Sequence, residues 1–161
     1  FGILKDPYNW GTTTFSTADT LSGLKSVKIT GATADFIPDE EISQTVTDGT
    51  AKGTVVSWTL DSGSSTAGVL KYIQTNDAHV DQGVVRAFVS NGSNAVSGGL
   101  SASAGNVDTT YAGTLLGVTF ASGLAAPEIE NNSGDIIYQE NRRLITRAPD
   151  QIEDIKLVIE F

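Results

Sequence analysis

The chain has 161 residues, which suits one domain or two small β subdomains and suffices to bury a core without a disulfide or a metal ion. It contains no Cys, and this excludes thiol catalysis, cysteine-bound zinc and iron–sulfur clusters. The net charge is -9 with mostly scattered Lys and Arg, and no apolar run approaches the ~20 residues of a membrane span, so we expect neither a nucleic acid nor a membrane as partner.

Residues 1–23 are predicted to form an N-terminal arm or loop. Aromatic side chains stand there among Lys, Asp, Pro and a stretch rich in Thr and Ser, with no strand or helix period over the whole segment. We expect the arm to dock its aromatic side chains on a neighbouring protein. The candidate interface residues are Tyr8, Trp10 and Phe15.

Residues 24–126 are predicted to be a β-rich module with hairpins. Val27 and Ile29 lie on one strand, and residues 42–46 alternate as on a half-buried strand. The clearest hairpin pairs residues 54–60 with residues 69–73. In the first strand we expect one face to carry Val56, Trp58 and Leu60. In the second strand we expect Leu70 and Tyr72 on one face and Val69 and Ile73 on the other.

The second half of this module carries weaker signals. Asn91-Gly92 is a typical two-residue turn, and it predicts a hairpin between residues 84–89 and residues 95–96. Residues 98–107 are rich in Gly, Ser and Ala and are expected to form an exposed loop. Residues 114–120 suggest one further strand, and residues 123–127 suggest a connector.

Residues 127–161 are predicted to contribute C-terminal strands that complete the sheet. Residues 135–139 form one candidate strand, and residues 155–161 alternate apolar and polar side chains as a closing strand. No segment shows a sustained period of about 3.6 residues, the mark of an amphipathic helix. The predicted fold is therefore mainly β, with antiparallel β-sandwich or small β-barrel subdomains and little helix.

Chemically reactive groups are few. His79 is the only imidazole, and in an extended strand it would share a face with Asp77 and Asp81, a set that suits a divalent metal; a solvated loop is the favoured interpretation. Carboxylates at residues 39–41 and at Glu128 and Glu130 are expected to solvate the surface rather than to form a glycosidase pair. The sequence thus predicts no enzyme, no cofactor and no metal site.

The C-terminal turn adds a second set of candidate interface residues. Arginine binds carboxylates through a planar fork, so a cluster of arginines suits an acidic partner. The alternative is local pairing with acidic neighbours such as Glu140 or Asp150. The cluster consists of Arg142, Arg143 and Arg147.

Two stretches carry a resemblance to a known family. The first is residues 3–14, ILKDPYNWGTTT, and the second is residues 134–161, GDIIYQENRRLITRAPDQIEDIKLVIEF. Together they resemble the baseplate wedge proteins of T-even-like contractile-tailed phages, the gene-eight product type, above all the versions in phages of cyanobacteria. Residues 36–73 are similar to a small β module that is widespread in phage virion proteins and that alone identifies little.

The resemblance implies a structural subunit of the tail baseplate wedge, located in the virion and assembled in the host cytoplasm. It further implies a homodimer within each wedge, contacts with other wedge proteins and no catalysis. Since proteins of this family are roughly twice as long, as suits several β subdomains, it also implies that this chain is their C-terminal portion.

A receptor- or glycan-binding domain of a phage tail fibre is the alternative function. In that case Trp58 and Tyr72 would form an exposed platform on which a sugar ring stacks. Their alternation with polar residues favours burial instead.

Overall fold

The computed structural model describes residues 2–18 and 21–141. Within these ranges the chain forms thirteen strands and no helix, as the mainly β prediction requires. The strands are β1 (Gly2–Lys5), β2 (Lys25–Thr30), β3 (Glu41–Val46), β4 (Gly49–Leu60), β5 (Gly68–Ile73), β6 (Val80–Asp81), β7 (Val84–Val85), β8 (Val96–Gly98), β9 (Ala104–Val107), β10 (Gly113–Leu115), β11 (Val118–Phe120), β12 (Leu124–Ala125) and β13 (Asp135–Gln139).

A closed barrel of six antiparallel strands dominates the described fold. Its order is β2-β5-β4-β3-β8-β9, and β9 returns to β2 through the pairs Ile29↔Val107 and Thr30↔Asn106. Closure satisfies the edge groups that an open sheet would leave free for other chains. The small barrel predicted as one option is thus the observed architecture.

Two apolar clusters stabilise the barrel. The first unites buried side chains from the barrel strands, among them Ile29, Ile42 and Leu70, each fully buried. The second lies around Val69 and Phe120, where β12 pairs with β2 and the β10–β11 hairpin packs nearby. The residues that follow β9 therefore cover the β2–β5 region, which explains why consecutive residues of β2 are buried.

Strand β4 departs from the predicted alternation. Val55 pairs with the core residue Tyr72 and Trp58 pairs with the core residue Leu70, because the register against β5 shifts between Val55 and Ser57. Val56, at the shift, is 40% exposed. This β-bulge adds one residue, so the side chains beyond it exchange faces. The expectation that Val56 and Trp58 share a face is therefore wrong, whereas burial of Leu70 and Tyr72 opposite to Val69 is as predicted for β5.

The predicted hairpin around Asn91-Gly92 is not formed. Neither residue has the positive φ that a two-residue hairpin turn needs, and β8 pairs with β3 and β9 instead. The buried amide of Gln44 holds the segment: it donates to the carbonyls of Val89 (3.1 Å) and Asn94 (3.0 Å) and accepts from the Val89 amide (2.8 Å). Side-chain bonds thus replace the expected backbone ladder.

The segment 98–107 is not an exposed loop, because it ends in barrel strand β9. Gly105 is buried there, and a Cβ at this position would overlap Ile29 Cγ2. The glycine signals close approach of two strands rather than flexibility. Small residues that suggested a loop are what allows β9 to close the barrel.

Residues 114–127 also differ from prediction. The single expected strand is a hairpin, β10–β11, whose turn residues Leu116 and Gly117 have φ values of 52° and 75°. Both values are positive, as in the turns that suit hairpins. The expected connector contains β12, which pairs with β2 through Leu124↔Val27 and Ala125↔Ser26.

Strands β1 and β13 form a separate two-stranded antiparallel ribbon. Ile3 lies opposite Tyr138 and Leu4 lies opposite Ile136, with an irregular register between the two pairs. The ribbon therefore joins the N-terminal arm to the start of the predicted C-terminal section. The predicted closing strand, residues 155–161, lies outside the described residues.

Candidate interaction surface

The β1–β13 ribbon exposes a group of large apolar side chains. An isolated two-stranded ribbon is only marginally stable in water, and exposed apolar patches mark interaction sites. Both of its strands are exposed along their described lengths. The side chains concerned, with their exposed fractions, are Ile3 (43%), Leu4 (41%), Ile136 (70%), Ile137 (60%) and Tyr138 (47%).

Backbone hydrogen bonds fix the arm against the segment that precedes β13. The Trp10 amide donates to the Glu128 carbonyl (3.0 Å), and the Glu130 amide donates to the Tyr8 carbonyl (2.8 Å). The Tyr8 amide donates to Ser133 Oγ (2.9 Å). The arm thus binds its own chain, in addition to any neighbour that it contacts.

The three predicted aromatic residues do not form one patch. Tyr8 is half-buried, and its ring lies 5.6 Å from that of Phe15, which is 61% exposed. Trp10 is 37% exposed and lies beside Lys25, whose Nζ is 5.5 Å from the ring centre. The structure therefore brings Tyr8 and Phe15 together and gives Trp10 a different environment. Arg142, Arg143 and Arg147 lie outside the described residues.

Trp58 and Tyr72 do not form the exposed platform that a sugar-binding alternative requires. Tyr72 is 3% exposed and packs edge-on against Phe88, and burial raises the pKa of its hydroxyl. The half-buried Trp58 packs edge-on against Phe36 and donates from Nε1 to Asp35 (2.9 Å). Both side chains stabilise the barrel, as their alternation in the sequence favoured.

His79 is a buried structural residue rather than part of a solvated loop. It is 3% exposed, and the Thr75 amide donates to its Nδ1 (2.9 Å). The ring proton therefore resides on Nε2, which lies 2.9 Å from Thr54 Oγ1 and donates to it. Within residues 2–18 and 21–141, no group of three or more His, Cys, Asp and Glu side chains is arranged to hold a metal.

Replacing His79 by Ala is expected to destabilise the fold by about 2 kcal/mol, because Thr54 and the Thr75 amide lose their partner. Thermal unfolding followed by circular dichroism measures this loss. Ala78→Ser is the control, since the neighbouring Ala78 side chain is exposed and its replacement should change stability by less than about 0.5 kcal/mol. A rise in Tm on addition of zinc, lost in the His79 variant, would contradict the structural role.

Glu40 is the carboxylate that the sequence interpretation misplaced. It was expected to be solvated, yet it is fully buried at the start of β3. Its Oε1 accepts from the Ile37 amide (2.7 Å), and its Oε2 accepts from the amides of Leu100 and Ser101 (both 2.9 Å). The Ser101 hydroxyl donates to Oε1 as well (2.8 Å). The side chain therefore ties the 37–40 turn to the loop between β8 and β9.

The Glu40 carboxylate remains ionised in this buried position. Desolvation by itself raises its pKa, but the hydrogen bonds from the Ser101, Ile37 and Leu100 amides and from the Ser101 hydroxyl outweigh that effect and lower the pKa below the usual value. These donors replace the water that the charge loses on burial. The arrangement is a structural anchor and leaves no free oxygen lone pair directed at solvent for acid–base chemistry.

The other candidate carboxylates also serve the backbone. Glu128 Oε2 accepts from the Ser22 amide (2.8 Å), and Glu130 Oε2 accepts from the Gly11 amide (3.0 Å). They therefore hold the arm and its return segment rather than solvate an open turn. In the described ranges, no helix has the length and apolar character needed to cross a bilayer.

Sequence reasoning singled out the aromatic residues of the arm as interface candidates, which stays a prediction, and it missed the apolar ribbon. Ile136 and Ile137 are neighbours on one strand, so they point to opposite faces. Their exposure follows from the absence of a further described strand or layer against the ribbon, a fact of pairing that strand periodicity does not contain. The signal available was two consecutive isoleucines beside turn residues 131–134.

Comparisons with models of protein families, with curated proteins and with solved structures found no match to this chain.

Proposed function

We propose that the chain is a structural subunit of the baseplate wedge of a contractile phage tail. One observation carries the proposal: the described parts of the two stretches that resemble the gene-eight wedge proteins, residues 3–14 and residues 134–141, meet in space. Residues from both stretches pair along the β1–β13 ribbon, although more than a hundred residues separate them in the chain. Segments that act together in one interface are expected to adjoin in this way.

The physical character of the described residues suits this role. A closed barrel gives a rigid body without free edges, and the ribbon adds a projecting apolar surface. Apolar side chains such as Ile136 and Ile137 stabilise an assembly only when another surface removes them from water. The proposed occupant is the apolar face of a neighbouring wedge protein, and a homodimer within the wedge belongs to the same proposal.

The proposal is tested by incorporation into tails. Ile136→Asp combined with Ile137→Asp should fold with a Tm close to that of the wild type, since both residues are exposed, yet should be lost from purified baseplates. Val84→Asp is the matched control, because Val84 is 55% exposed in the separate β6–β7 hairpin. Reconstruction of particles with the protein located outside the tail and baseplate would refute the proposal.

A sugar platform of Trp58 and Tyr72 is not proposed as a second function, because Tyr72 lies in the core and Trp58 is held by Phe36 and Asp35. No described observation favours catalysis over a structural role. The expectation that the protein is not an enzyme therefore remains a prediction, which a hydrolase screen of the purified protein would check.

A further inference from the structure

A cleft of about 740 Å³ lies where the arm passes the barrel. Its volume falls within the range of about 300–1,000 Å³ that is typical of small-molecule sites. The walls come from the arm, from the start of β2, from the segment that follows β5 and from the turn before β13. The lining side chains used below are Trp10, Lys25, Asn76, Asp77, Glu130, Asn131 and Asn132.

Hydrogen bonds of Gln74 fix the floor of the cleft to the barrel. Gln74 is 8% exposed and donates to the carbonyls of Lys52 (2.6 Å) and Arg86 (2.8 Å). Its Oε1 accepts from Lys25 Nζ (2.8 Å), which keeps the ammonium over one face of the Trp10 ring. Burial lowers the pKa of Lys25, and the negative charge of Glu130 opposes that change. A site of this kind needs little ordering when a ligand binds.

The rim of the cleft carries polar groups without partners. Among the described residues, no hydrogen bond engages the side-chain amides of Asn76, Asn131 and Asn132, and all three residues are exposed. Each amide offers both a donor and an acceptor. Such pairs match adjacent hydroxyl groups, which donate and accept in the same way.

An adjoining recess has an unusual polar residue in its wall. It measures about 160 Å³ and shares Trp10 and Lys25 with the cleft. Ser26 lines it, is 1% exposed, and has an Oγ for which the described structure provides no hydrogen-bond partner. Buried hydroxyl groups are almost always bonded, so an unpartnered one beside the cleft is unusual.

The combination identifies the chemical class of the ligand. A sugar ring has an apolar face of C–H groups that packs on an aromatic ring, and its edge carries hydroxyl groups. Lys25 Nζ lies over one face of the Trp10 ring, so the surface available for such contact is the remaining exposed part of this residue, which is 37% exposed as a whole. Two carboxylates, Asp77 and Glu130, outnumber the single ammonium of Lys25, so an anionic sugar is disfavoured.

We propose that this cleft binds a neutral oligosaccharide, with Trp10 as the stacking surface and with Asn76, Asn131 and Asn132 as the groups that bind its hydroxyls. The site is separate from the apolar ribbon and goes beyond the structural role proposed above. Free oligosaccharides and the ends of cell-surface polysaccharides offer the same chemistry, and both are covered by the proposal.

The test is a glycan array probed with the purified chain, followed by calorimetric titration with the neutral oligosaccharide that gives the strongest signal. Trp10→Ala should weaken binding by about tenfold or more, and Trp10→Phe should retain part of the affinity. Phe15→Ala is the matched control: Phe15 is the more exposed aromatic residue of the same arm and lines neither the cleft nor the recess. Its affinity should equal that of the wild type.

A second measurement separates lost binding from lost folding. Trp10 and Trp58 are the only tryptophans, so a Trp58→Phe variant reports fluorescence from Trp10 alone. Addition of the oligosaccharide should change this emission, and Asn131→Ala should weaken the response without lowering Tm. The proposal is overturned if no neutral glycan binds, if only peptides or anionic glycans bind, or if Trp10→Ala binds as tightly as the wild type. Baseplate incorporation of Asn131→Ala should be unchanged, so this proposal and the structural role fail separately.

Discussion

Glu40→Gln is expected to lower the free energy of unfolding by roughly 2–4 kcal/mol, although the two side chains have nearly the same shape. The carboxylate accepts from three backbone amides and one hydroxyl. In glutamine an NH₂ group replaces one of the two carboxylate oxygens, and this group would face a backbone N–H group. That buried N–H group loses its acceptor, and two hydrogen-bond donors then lie against each other. Chemical denaturation measures the loss.

Glu41→Gln provides the matched control for this experiment. Glu41 is the next residue in the chain, also a glutamate, but its side chain is exposed. Its replacement should change stability by less than about 0.5 kcal/mol. Equal effects at the two positions would contradict the anchoring role of Glu40. They would instead support the sequence-based expectation that the carboxylates of residues 39–41 are solvated.

The same site predicts a dependence on pH. Hydrogen bonds hold the pKa of Glu40 in the folded protein below its usual value of 4.5 despite desolvation. The carboxylate therefore contributes stability that is fully present above pH 4.5 and is lost as the pH falls through the folded-state pKa. The stability difference between wild type and Glu40→Gln should accordingly shrink as the solution is acidified below that value. A difference that stays constant would exclude an ionised Glu40.

The fold class could be predicted because alternation records which face of a strand is buried. On β5, Leu70 and Tyr72 enter the core while Val69 packs on the opposite side, as period two requires. Alternation fails where the backbone gains a residue, and the bulge at Val56 has no signal in side-chain polarity. The pairing partners were equally hidden, because closure of β9 on β2 depends on contacts distant in sequence.

The candidate sites were harder to predict for a different reason. His79 and Glu40 both occur in stretches that contain exposed acidic residues, and local composition favours solvent exposure for such stretches. Their burial depends on donors supplied from elsewhere, such as the Leu100 amide, which is 60 residues from Glu40 in the chain and donates to its carboxylate. Trp10 was identified as an aromatic contact residue, but the cleft beside it exists only because residues 130–132 return to the arm.

A buried ion pair gives the second large expected effect. Lys28 and Asp61 form a salt bridge, with the Lys28 side chain only 4% exposed and the Asp61 side chain 26% exposed. Asp61→Asn is expected to cost about 3 kcal/mol, because it leaves the buried ammonium beside an amide that cannot balance its charge. The Tyr111 ring, 5.5 Å from Nζ, compensates only in part. Chemical denaturation measures the cost, and Asp48→Asn in the exposed β3–β4 turn is the control.

Lys28→Met should by contrast change stability by less than about 1 kcal/mol, because it removes the charge that needs a partner and keeps an unbranched side chain against Tyr111. The penalty of Asp61→Asn should then largely disappear in the Lys28→Met background, and a double-mutant cycle measures the difference. If Asp61→Asn costs the same in both backgrounds, Asp61 acts through its loop and not through Lys28. The effects of Lys28→Met and Asp61→Asn differ because of desolvation. An apolar side chain at position 28 loses nothing when it is buried, whereas a buried ammonium without its carboxylate is not compensated for the water it has lost.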